Sequence, residues 1–450
     1  MPPERLCRFI SGALARIEWR QVPAMGVLAV GLTEGIWGAL QLFGVVDSGH
    51  PRYPVTGSFY NPGPYGCMLG CVLPVAVSIY LRTGAKWMKW SAGVFLLLSV
   101  LLLPGGMSRT GWIAALAGSA VTLTGIYREK IFSINRKYQV ATIAVTGIGL
   151  CATGYGAYHI KKDSADGRVL MWKVAALAVA RSPHQGVGWD YVEGAYGDAQ
   201  EEYFREGMDS GNEAMVAGTP VYVFNEYLQL AIAFGWLCGV MFLLSLLLAC
   251  GLYMRSRLYG MAGTVAGIAV TCMASYPLQF AEFRWFIGLT VICAFMLLRS
   301  LPLRLMAVAA STAAMILFFC NRPDSDINAE FRKAHATYQN GNFREAIDSF
   351  NELLPKTSDP MPLNLIGKCY QSLGMPDSAE HYFIRSTHRL PNRFYPHYLL
   401  MKLYAENPAD SAKMRCEANY LLTSDPKTPS QAIDEMREEA THLISSICRR

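Results

Sequence analysis

Charged residues are scarce in this sequence of 450 residues. They make up 16% of the chain, whereas a soluble domain usually carries about 25%. Hydrophobic residues make up 52%. The basic residues form short clusters between apolar runs, which argues against the single basic surface that is typical of nucleic-acid binding. This composition predicts a membrane protein with a polar part, and no nucleic-acid partner.

The Cys-x-x-Cys spacing that is typical of metal and redox sites is also absent. The chain has 12 cysteines but no Cys-x-x-Cys pair, and most of them lie in or beside apolar runs, where a thiol packs as a small hydrophobic group. The polar segment 160–229 contains none. We therefore expect no disulfide, and the cysteines do not have the spacing of metal ligands. The N-terminus lacks the small-residue cleavage site of a signal peptide, and residues 1–21 resemble a cytoplasmic connection between helices.

Apolar runs dominate the first 320 residues. About 20 apolar residues suffice to cross a bilayer. Nine spans are predicted on that basis, at about 23–46, 62–82, 89–105, 111–127, 139–159, 228–254, 259–279, 285–300 and 303–320. Lys and Arg recur on one side of these spans, which predicts a cytoplasmic N-terminus and an external tail. The expected domains are a cytoplasmic segment 1–22, a transmembrane domain 23–320 with an external loop 160–227, and an external domain 325–450.

The tail after Cys320 is polar and has a helical period. Small and aromatic residues recur about every 33 positions, as in Ala334, Gly341, Ala346 and Phe350, and again in Gly367, Gly374, Ala379 and Phe383. This pattern resembles the tetratricopeptide repeat, with two clear copies at about 331–391 and a degraded third copy at 392–424. Such a domain either docks a protein partner or packs on the chain's own membrane part. The predicted fold is all-α, a polytopic transmembrane helix bundle followed by a soluble repeat domain.

The polar segment 160–229 gathers cations, carboxylates and aromatic residues between two apolar runs. Its motifs are Gly167-Arg168-x-x-x-Trp172, Pro183-x-x-Gly186-x-Gly188 and Asn225-Glu226-Tyr227-Leu228-Gln229. Two more motifs stand at predicted external ends of spans, Thr56-Gly57-Ser58-Phe59-Tyr60-Asn61-Pro62 and Ser108-Arg109-Thr110-Gly111-Trp112. In order and sidedness these motifs resemble the O-antigen ligase and polymerase superfamily of integral-membrane glycosyltransferases. The resemblance covers about residues 50 to 300.

The resemblance implies glycan transfer on the periplasmic face of the bacterial inner membrane, in surface polysaccharide biosynthesis. An undecaprenyl-diphosphate-linked saccharide would be the donor. The acceptor would be a lipid A core sugar in ligases, another lipid-linked chain in polymerases, or a protein hydroxyl in the O-oligosaccharyltransferases. Membrane lipids would surround the spans, and neither a metal nor a nucleotide would be needed. The family's loop arginines would map onto Arg109 and Arg168.

Cations near the headgroups suit a diphosphate, because the planar fork of arginine matches phosphate oxygens and keeps its charge. Arg109 and Arg168 are the catalytic candidates on this argument, although an arginine near a membrane boundary can also be a snorkelling anchor. Trp172 lies four residues after Arg168, on the same helical face. The candidates for substrate binding are Lys161, Lys162, Trp172, Asn225 and Tyr227, and the two lysines also suit interfacial anchors.

The acceptor hydroxyl needs a base or an orienting group. Many members of the family carry His immediately before the Asn that opens the helix after the loop, whereas this chain has Phe224 there. Glu226 and His184 are the main remaining candidates, followed by Asp190 and Glu193. Glu226 also suits a helix cap, and His184 also suits an exposed surface. The glycines of the Pro-x-x-Gly-x-Gly motif are expected to serve backbone turns and not to hold phosphate.

Three functions remain in competition. The first is an active transferase of lipid-linked glycans. The second is a catalytically inactive relative that anchors a repeat scaffold within a glycan-assembly complex. The third is a transporter of polyprenyl-linked sugars, which would ordinarily carry several ionisable groups within its spans, whereas here only Glu34, Glu282 and Arg284 come into question. We expect the transferase.

Overall fold

The computed structural model describes residues 21–133, 135, 162–320 and 326–447, and 141, 144, 147–149, 155–156 and 158–159 between them. In these ranges the regular elements are helices and no β-strand occurs, which confirms the all-helical prediction. Lys161 and most of the predicted span 139–159 lie outside the described residues, as does nearly all of the predicted cytoplasmic segment 1–22.

Helices follow one another along the described chain. They are α1 (Val22–Leu42), α2 (Pro62–Arg82), α3 (Lys86–Gly105), α4 (Arg109–Ile126), α5 (Arg128–Ser133), α6 (Lys162–Arg181), α7 (Val192–Arg205), α8 (Glu213–Val216), α9 (Glu226–Phe234), α10 (Trp236–Arg255), α11 (Tyr259–Ala274), α12 (Ala281–Phe295), α13 (Leu301–Cys320), α14 (Ile327–Gln339), α15 (Phe343–Leu353), α16 (Met361–Ser372), α17 (Pro376–Arg389), α18 (Phe394–Ala405), α19 (Ser411–Thr423) and α20 (Gln431–Ile447). Short 3₁₀ turns occupy Trp189–Tyr191, Pro277–Gln279, Leu354–Lys356 and Pro408–Asp410.

The chain forms two compact units. The span unit comprises the described residues within 1–160, 225–227 and 240–321, and the loop–tail unit comprises those within 161–224, 228–239 and 322–450. The polar loop therefore belongs to the same unit as the tail. The domain boundaries drawn from the sequence assigned the loop to the transmembrane domain. These boundaries stay a prediction.

Several helices are suited to a membrane. Among the described helices α1, α2, α3 and α10 are long and apolar enough to cross a bilayer, while α11 and residues Leu301–Ile316 are shorter apolar helices. Their outward side chains are apolar, as for Leu97 and Val100, which are 65% and 71% exposed. Apolar side chains on the outside of a helix suit a lipid environment. The exact number of spans stays a prediction.

Glycines bring the central helices of the span unit into close contact. A Cβ atom on Gly111 of α4 would lie 2.3 Å from the carbonyl oxygen of Gly66 of α2, and a Cβ atom on Gly118 would lie 2.5 Å from that of Gly263 of α11. Small residues at such crossings are a common way to pack membrane helices, since the backbones can then approach closely. The N-terminal ends of α2 and α4 are held together in this way.

The predicted span at 228–254 is divided into two helices. Gly235 separates α9 from α10 and has a φ of 89°. A Cβ atom on Gly235 would lie 2.3 Å from the carbonyl oxygen of His184, and the backbone N–H of Trp236 donates to the carbonyl of Pro183 (2.9 Å). The prediction of one continuous helix is therefore wrong at this point, because the turn at 183–186 packs into the break.

The tail is a stack of helices from α14 to α20, in which each helix packs on the next. The small residues of the repeat pattern let paired helices approach each other closely. A Cβ atom on Gly367 would lie 2.4 Å from the ring of Phe383, and Ala346 and Ala379 are fully buried. Helix α20 extends the stack beyond the predicted third copy. The identity of these helices as tetratricopeptide repeats stays a prediction.

Buried apolar contacts join the loop to the tail. Helix α7 of the loop packs on α17 and on the turn at Leu354–Lys356. A Cβ atom on Gly194 would lie 2.0 Å from the carbonyl oxygen of Pro355, so the two backbones touch. Leu390 of the tail belongs to the same buried cluster as the loop residues Leu170 and Tyr196. Because the loop completes its hydrophobic core with a tail residue, the two parts form one structural body.

A buried ion cluster lies in the same unit. Arg385 donates to Glu201 through two bonds, from Nε to Oε1 (2.7 Å) and from Nη2 to Oε2 (3.1 Å). Arg389 is fully buried, pairs with Asp198, and places its Nε atom 3.6 Å from Oε2 of Glu201. The amide of Gln200 donates to the backbone carbonyl of Arg389 (2.6 Å). Buried charges of this kind are tolerated only when they are paired.

Candidate functional site

An arginine and an aromatic ring meet in the loop–tail unit. Helix α6 carries Arg168, whose guanidinium carbon lies 5.1 Å from the centroid of the Phe224 ring. Both side chains are half-buried. A guanidinium is attracted to the face of an aromatic ring by its charge, and this contact occupies none of its five N–H donors, which lie in its own plane. The ring of Phe224 thus helps to orient the guanidinium of Arg168.

The backbone at Phe224 adopts an uncommon conformation. Its φ is 56°, a left-handed value that costs a bulky residue about 1–3 kcal/mol. The preceding N–H, from Val223, donates to the side-chain carbonyl of Gln229 on α9 (3.1 Å). Residues in such conformations persist when the surrounding structure holds them and are concentrated at functional sites. The position that the family resemblance singles out is therefore also a position of backbone strain.

Trp172 lies one turn beyond Arg168 on α6. Its indole is half-buried against the apolar cluster of the loop. The Nε1 atom is buried and has no hydrogen-bond partner among the described residues, although buried donors are normally paired. Lys162, the first residue of α6, is exposed. Of the candidates for substrate binding in the described loop, Trp172 is the one that lies beside Arg168 in the helix.

The turn at residues 183–188 is held by its backbone. Gly186 and Gly188 have φ values of 68° and 92°. The N–H groups of Val187 and Gly188 donate to the carbonyls of Ile232 and Ala233, each at 2.9 Å. The prediction that these glycines serve backbone turns is confirmed. The side chain of the neighbouring His184 is exposed.

In the span unit, the motif at 56–62 is held by polar side chains of α1. Gln41 accepts hydrogen bonds from the N–H groups of Thr56 (2.9 Å) and Gly57 (2.8 Å). Glu34 accepts from the hydroxyl (2.7 Å) and the N–H (3.1 Å) of Ser58. The buried Glu34 therefore has a structural task in shaping this loop, which weakens its interpretation as part of a transport pathway.

Arg109 lies between two anchored neighbours. The hydroxyl of Ser108 donates to the carbonyl of Gly63 (2.9 Å), and the hydroxyl of Thr110 donates to the carbonyl of Ala274 (3.1 Å). Arg109 itself is half-buried and opens α4. Because both adjacent side chains are tied to other segments, the backbone of Arg109 has a fixed position at this end of the unit.

Glu226 is fully buried at the start of α9. Its Oε1 atom accepts the N–H of Leu278 (2.7 Å), while its Oε2 atom has no hydrogen-bond partner among the described residues. The hydroxyl of Tyr227 donates to the carbonyl of Ala269 in α11 (3.0 Å), and Asn225 is half-buried. Glu226 thus ties the segment 225–227 to the turn between α11 and α12, and its second carboxylate oxygen has no partner in the part of the chain that the structure describes.

This turn between α11 and α12 was not predicted as part of the site. The ring of Phe280 lies 5.3 Å from that of Phe59 and 5.4 Å from that of Tyr60. Together with the hydrogen bonds at Thr110 and Glu226, these contacts join four segments at one end of the span unit, 56–63, 108–112, 225–227 and 274–283. The signal in the sequence was the group of aromatic residues Tyr276, Phe280 and Phe283 around Pro277.

The carboxyl group of Glu193 in the loop predicts that the stability of the loop–tail unit depends on pH. Burial raises the pKa of Glu193 to about 7, above its ordinary value near 4.5. The folded unit therefore holds this proton more tightly than the unfolded chain, and its stability falls as pH rises from 4.5 to 7 and is constant above that. We expect Glu193→Gln to raise the melting temperature at pH 8 and to leave it unchanged at pH 4.5.

The size of this effect follows from partial burial. Glu193 is half-buried, so screening by solvent reduces the gain in stability to on the order of 1 kcal/mol, or about 2–4 °C for a unit of this size. Thermal unfolding of the full chain at the two pH values measures it. The exposed Glu206, changed to Gln, is the matched control. An equal shift at both pH values would rule out the titration of Glu193 as its cause.

The family comparison covers the loop and the spans on either side of it. The family model described as O-antigen ligase matches residues 94–243, which include Arg109, Arg168, Phe224 and Glu226. Searches of the curated proteins and of the solved structures found no match. The matched segment supports a relationship to the O-antigen ligase superfamily, and together with the apolar helices it indicates a membrane protein with a glycan-transfer role in polysaccharide biosynthesis.

Proposed function

We propose that this chain transfers a glycan from an undecaprenyl-diphosphate-linked donor to an acceptor hydroxyl on the periplasmic face of the bacterial inner membrane. The observation that carries the proposal is Arg168 on the ring of Phe224, within the segment that matches the O-antigen ligase family. Breaking the bond between sugar and phosphate leaves negative charge on the diphosphate. A guanidinium that is already oriented stabilises this charge without reorganising during the reaction.

Arg109 is the second proposed catalytic cation. Its neighbours Ser108 and Thr110 are anchored by hydrogen bonds, so the start of α4 is rigid at the point where the arginine leaves it. Rigid support of this kind keeps a catalytic group near its productive position. In this proposal both arginines bind phosphate oxygens, and neither acts as a base because arginine stays protonated.

Glu226 is the proposed group that accepts the proton of the acceptor hydroxyl, or orients that hydroxyl. Its Oε2 atom is free among the described residues, and its Oε1 atom is held by the N–H of Leu278. Trp172 is the proposed donor of a hydrogen bond to a saccharide hydroxyl, from its Nε1 atom, which has no partner within the described ranges. Asn225 and Tyr227 keep a supporting role in substrate binding. His184 is exposed and is the alternative base.

Two substitutions of Glu226 separate a chemical role from a structural one. Glutamine keeps an oxygen that can accept the N–H of Leu278 but cannot take a proton, whereas alanine removes both functions. If Glu226 is the base, Glu226→Gln lowers the transfer rate about 100-fold or more while the melting temperature stays near that of the wild type. Glu226→Ala lowers both. Normal transfer by the Glu226→Gln protein would contradict the assignment of Glu226 as the base and favour His184 in that role.

The inactive scaffold remains the second candidate. It is favoured by one observation, the aromatic side chain of Phe224, which cannot accept a proton. On this alternative Arg168 and Phe224 only stabilise the loop, and a protein partner binds the tail. The packing of α7 on α17 supports the interpretation that the tail serves its own chain, while a protein partner for the outer helices stays a proposal.

A deletion strain tests the transferase against the scaffold. Loss of the gene is expected to cause lipid-linked glycan to accumulate and surface polysaccharide to disappear. The wild-type chain restores both, and a chain with Arg109→Ala and Arg168→Ala does not, at equal membrane levels. Full complementation by this double variant would exclude the proposed catalytic role and favour the scaffold. The chain with Arg205→Ala, an exposed loop arginine, is the control.

A further inference from the structure

A cavity lies inside the loop–tail unit, and none of its lining residues takes part in the proposed transfer. Its volume is about 610 Å³, within the range of about 300–1,000 Å³ that is usual for small-molecule sites. The loop contributes residues 217–219, and the tail contributes the connection from α17 to α18 and residues from 426 to 436. The cavity is thus built from both parts of the unit.

The charged side chains that line the cavity are positive. Arg393 and Lys427 both line the cavity, and no aspartate or glutamate does. Burial, and after it the charge of Arg393, lowers the pKa of Lys427, while Asp163 opposes this shift from outside the lining. Two cations that share a cavity repel one another, and an anion between them would relieve that repulsion. The lining therefore has the electrostatics of an anion site.

The wall of the cavity is held in place before any ligand binds. The amide nitrogen of Asn392 lies 3.0 Å from the carbonyl oxygen of Ala214 and 2.9 Å from that of Ala217. The Nζ atom of Lys427 donates to the same carbonyl of Ala217 (2.9 Å). These bonds join the loop to two segments of the tail. A preformed wall lowers the entropic cost of binding.

We propose that this cavity binds a saccharide that carries an anionic group, a carboxylate or a phosphate. Arg393 and Lys427 recognise the anion. The aromatic side chain of Tyr395 and the hydroxyls of Thr219 and Thr428 suit the apolar faces and hydroxyls of sugar rings. The choice of a saccharide rests on the proposed glycan transfer, whereas the choice of an anion rests on the lining alone. The site would hold part of the glycan chain during transfer.

Binding to the full-length protein in lipid nanodiscs tests the proposal. Isothermal titration calorimetry compares three probes at about 150 mM salt: trigalacturonate, glucose 6-phosphate and neutral maltotriose. At least one anionic probe is expected to bind at least tenfold more tightly than maltotriose, and the probe that binds identifies the anion. Equal binding of all three probes, or binding of none, would overturn the proposal.

Matched variants locate the binding. The double variant Arg393→Gln, Lys427→Gln keeps hydrogen-bond donors but removes both charges, and it is expected to weaken binding of the anionic probe at least tenfold. The control Arg415→Gln removes an exposed charge on α19 outside the cavity and should bind normally. Unchanged binding by the double variant would place the anion elsewhere. Binding is measured without turnover. A failure to bind the probes therefore leaves the proposal of glycan transfer standing. Likewise, loss of transfer in the Arg168→Ala protein leaves the proposal of an anion-binding cavity standing.

Discussion

Replacing Arg168 with alanine is expected to lower the rate of glycan transfer at least 100-fold. The substitution removes a preoriented charge from the leaving diphosphate, and the loss of one such group typically costs about 10²–10³ in rate. Arg168→Lys keeps the charge but loses the planar fork, so an intermediate rate is expected. The measurement is the initial rate of acceptor glycosylation by the purified protein in nanodiscs with a lipid-linked donor.

Substitution of Phe224 is expected to have a smaller effect on the transfer rate than substitution of Arg168. Its contact with Arg168 is worth about 0.5–2 kcal/mol, so Phe224→Leu is expected to slow transfer by about 2- to 30-fold and not to abolish it. Arg205→Ala, which removes an exposed loop arginine paired with Glu206, should leave the rate unchanged. If Arg168→Ala protein kept more than half of the wild-type rate while folding normally, Arg168 would be a structural residue.

Replacing Glu201 with alanine is expected to destabilise the loop–tail unit by about 3–5 kcal/mol, because breaking a buried ion pair leaves its partners charged and unpaired. Glu201 accepts both bonds from Arg385 and lies beside the fully buried Arg389. At about 2–4 °C per kcal/mol, the melting temperature of the unit should fall by roughly 6–20 °C. Differential scanning calorimetry of the full chain measures this change.

Two variants control the result. Glu201→Gln keeps an acceptor for the arginines without the charge, so a smaller loss is expected. Glu206→Ala removes an exposed carboxylate from the residue after α7 and should have little effect. An unchanged melting temperature for Glu201→Ala would show that the ion cluster does not hold the loop to the tail.

The association of loop and tail changes the interpretation of the repeats. From the sequence, the tail served either as a docking groove for a partner or as a domain packed on the chain's own membrane part, to which the predicted boundaries assigned the loop. Leu390 completes the buried apolar cluster of the loop, and a Cβ atom on Gly194 would overlap the backbone of Pro355. These contacts favour packing on the chain itself. The loop that carries Arg168 is therefore expected to depend on the tail for its fold.

Several helix ends have a local cause in the sequence. Ser108 caps α4 by accepting the N–H of Gly111, and Asn61 caps α2 by accepting that of Gly63. Pro391 follows the end of α17 as expected. These signals work because a cap or a proline acts on residues within one turn of itself. The same holds for the small residues of the helical stack, whose spacing reflects contact between sequential helices.

Contacts between distant residues could not be predicted in this way. Arg385 and Glu201 are 184 positions apart, and Leu278 and Glu226 are 52 positions apart. Their pairing depends on how helices assemble, and no local pattern encodes it. The break at Gly235 was missed for the same reason, because the turn at 183–186 that packs into it comes from elsewhere in the chain. The candidate residues were therefore found by motif, while their partners were found only in the fold.

The release of undecaprenyl diphosphate by the purified full-length protein tests the central proposal most directly. In nanodiscs that contain an undecaprenyl-diphosphate-linked glycan, we expect free undecaprenyl diphosphate to appear only when an acceptor is added, with one molecule released for each glycan transferred. Arg168→Ala protein should release it at least 100-fold more slowly. No release by folded wild-type protein with any lipid A core, lipid-linked glycan or protein acceptor would contradict glycan transfer and support the inactive scaffold.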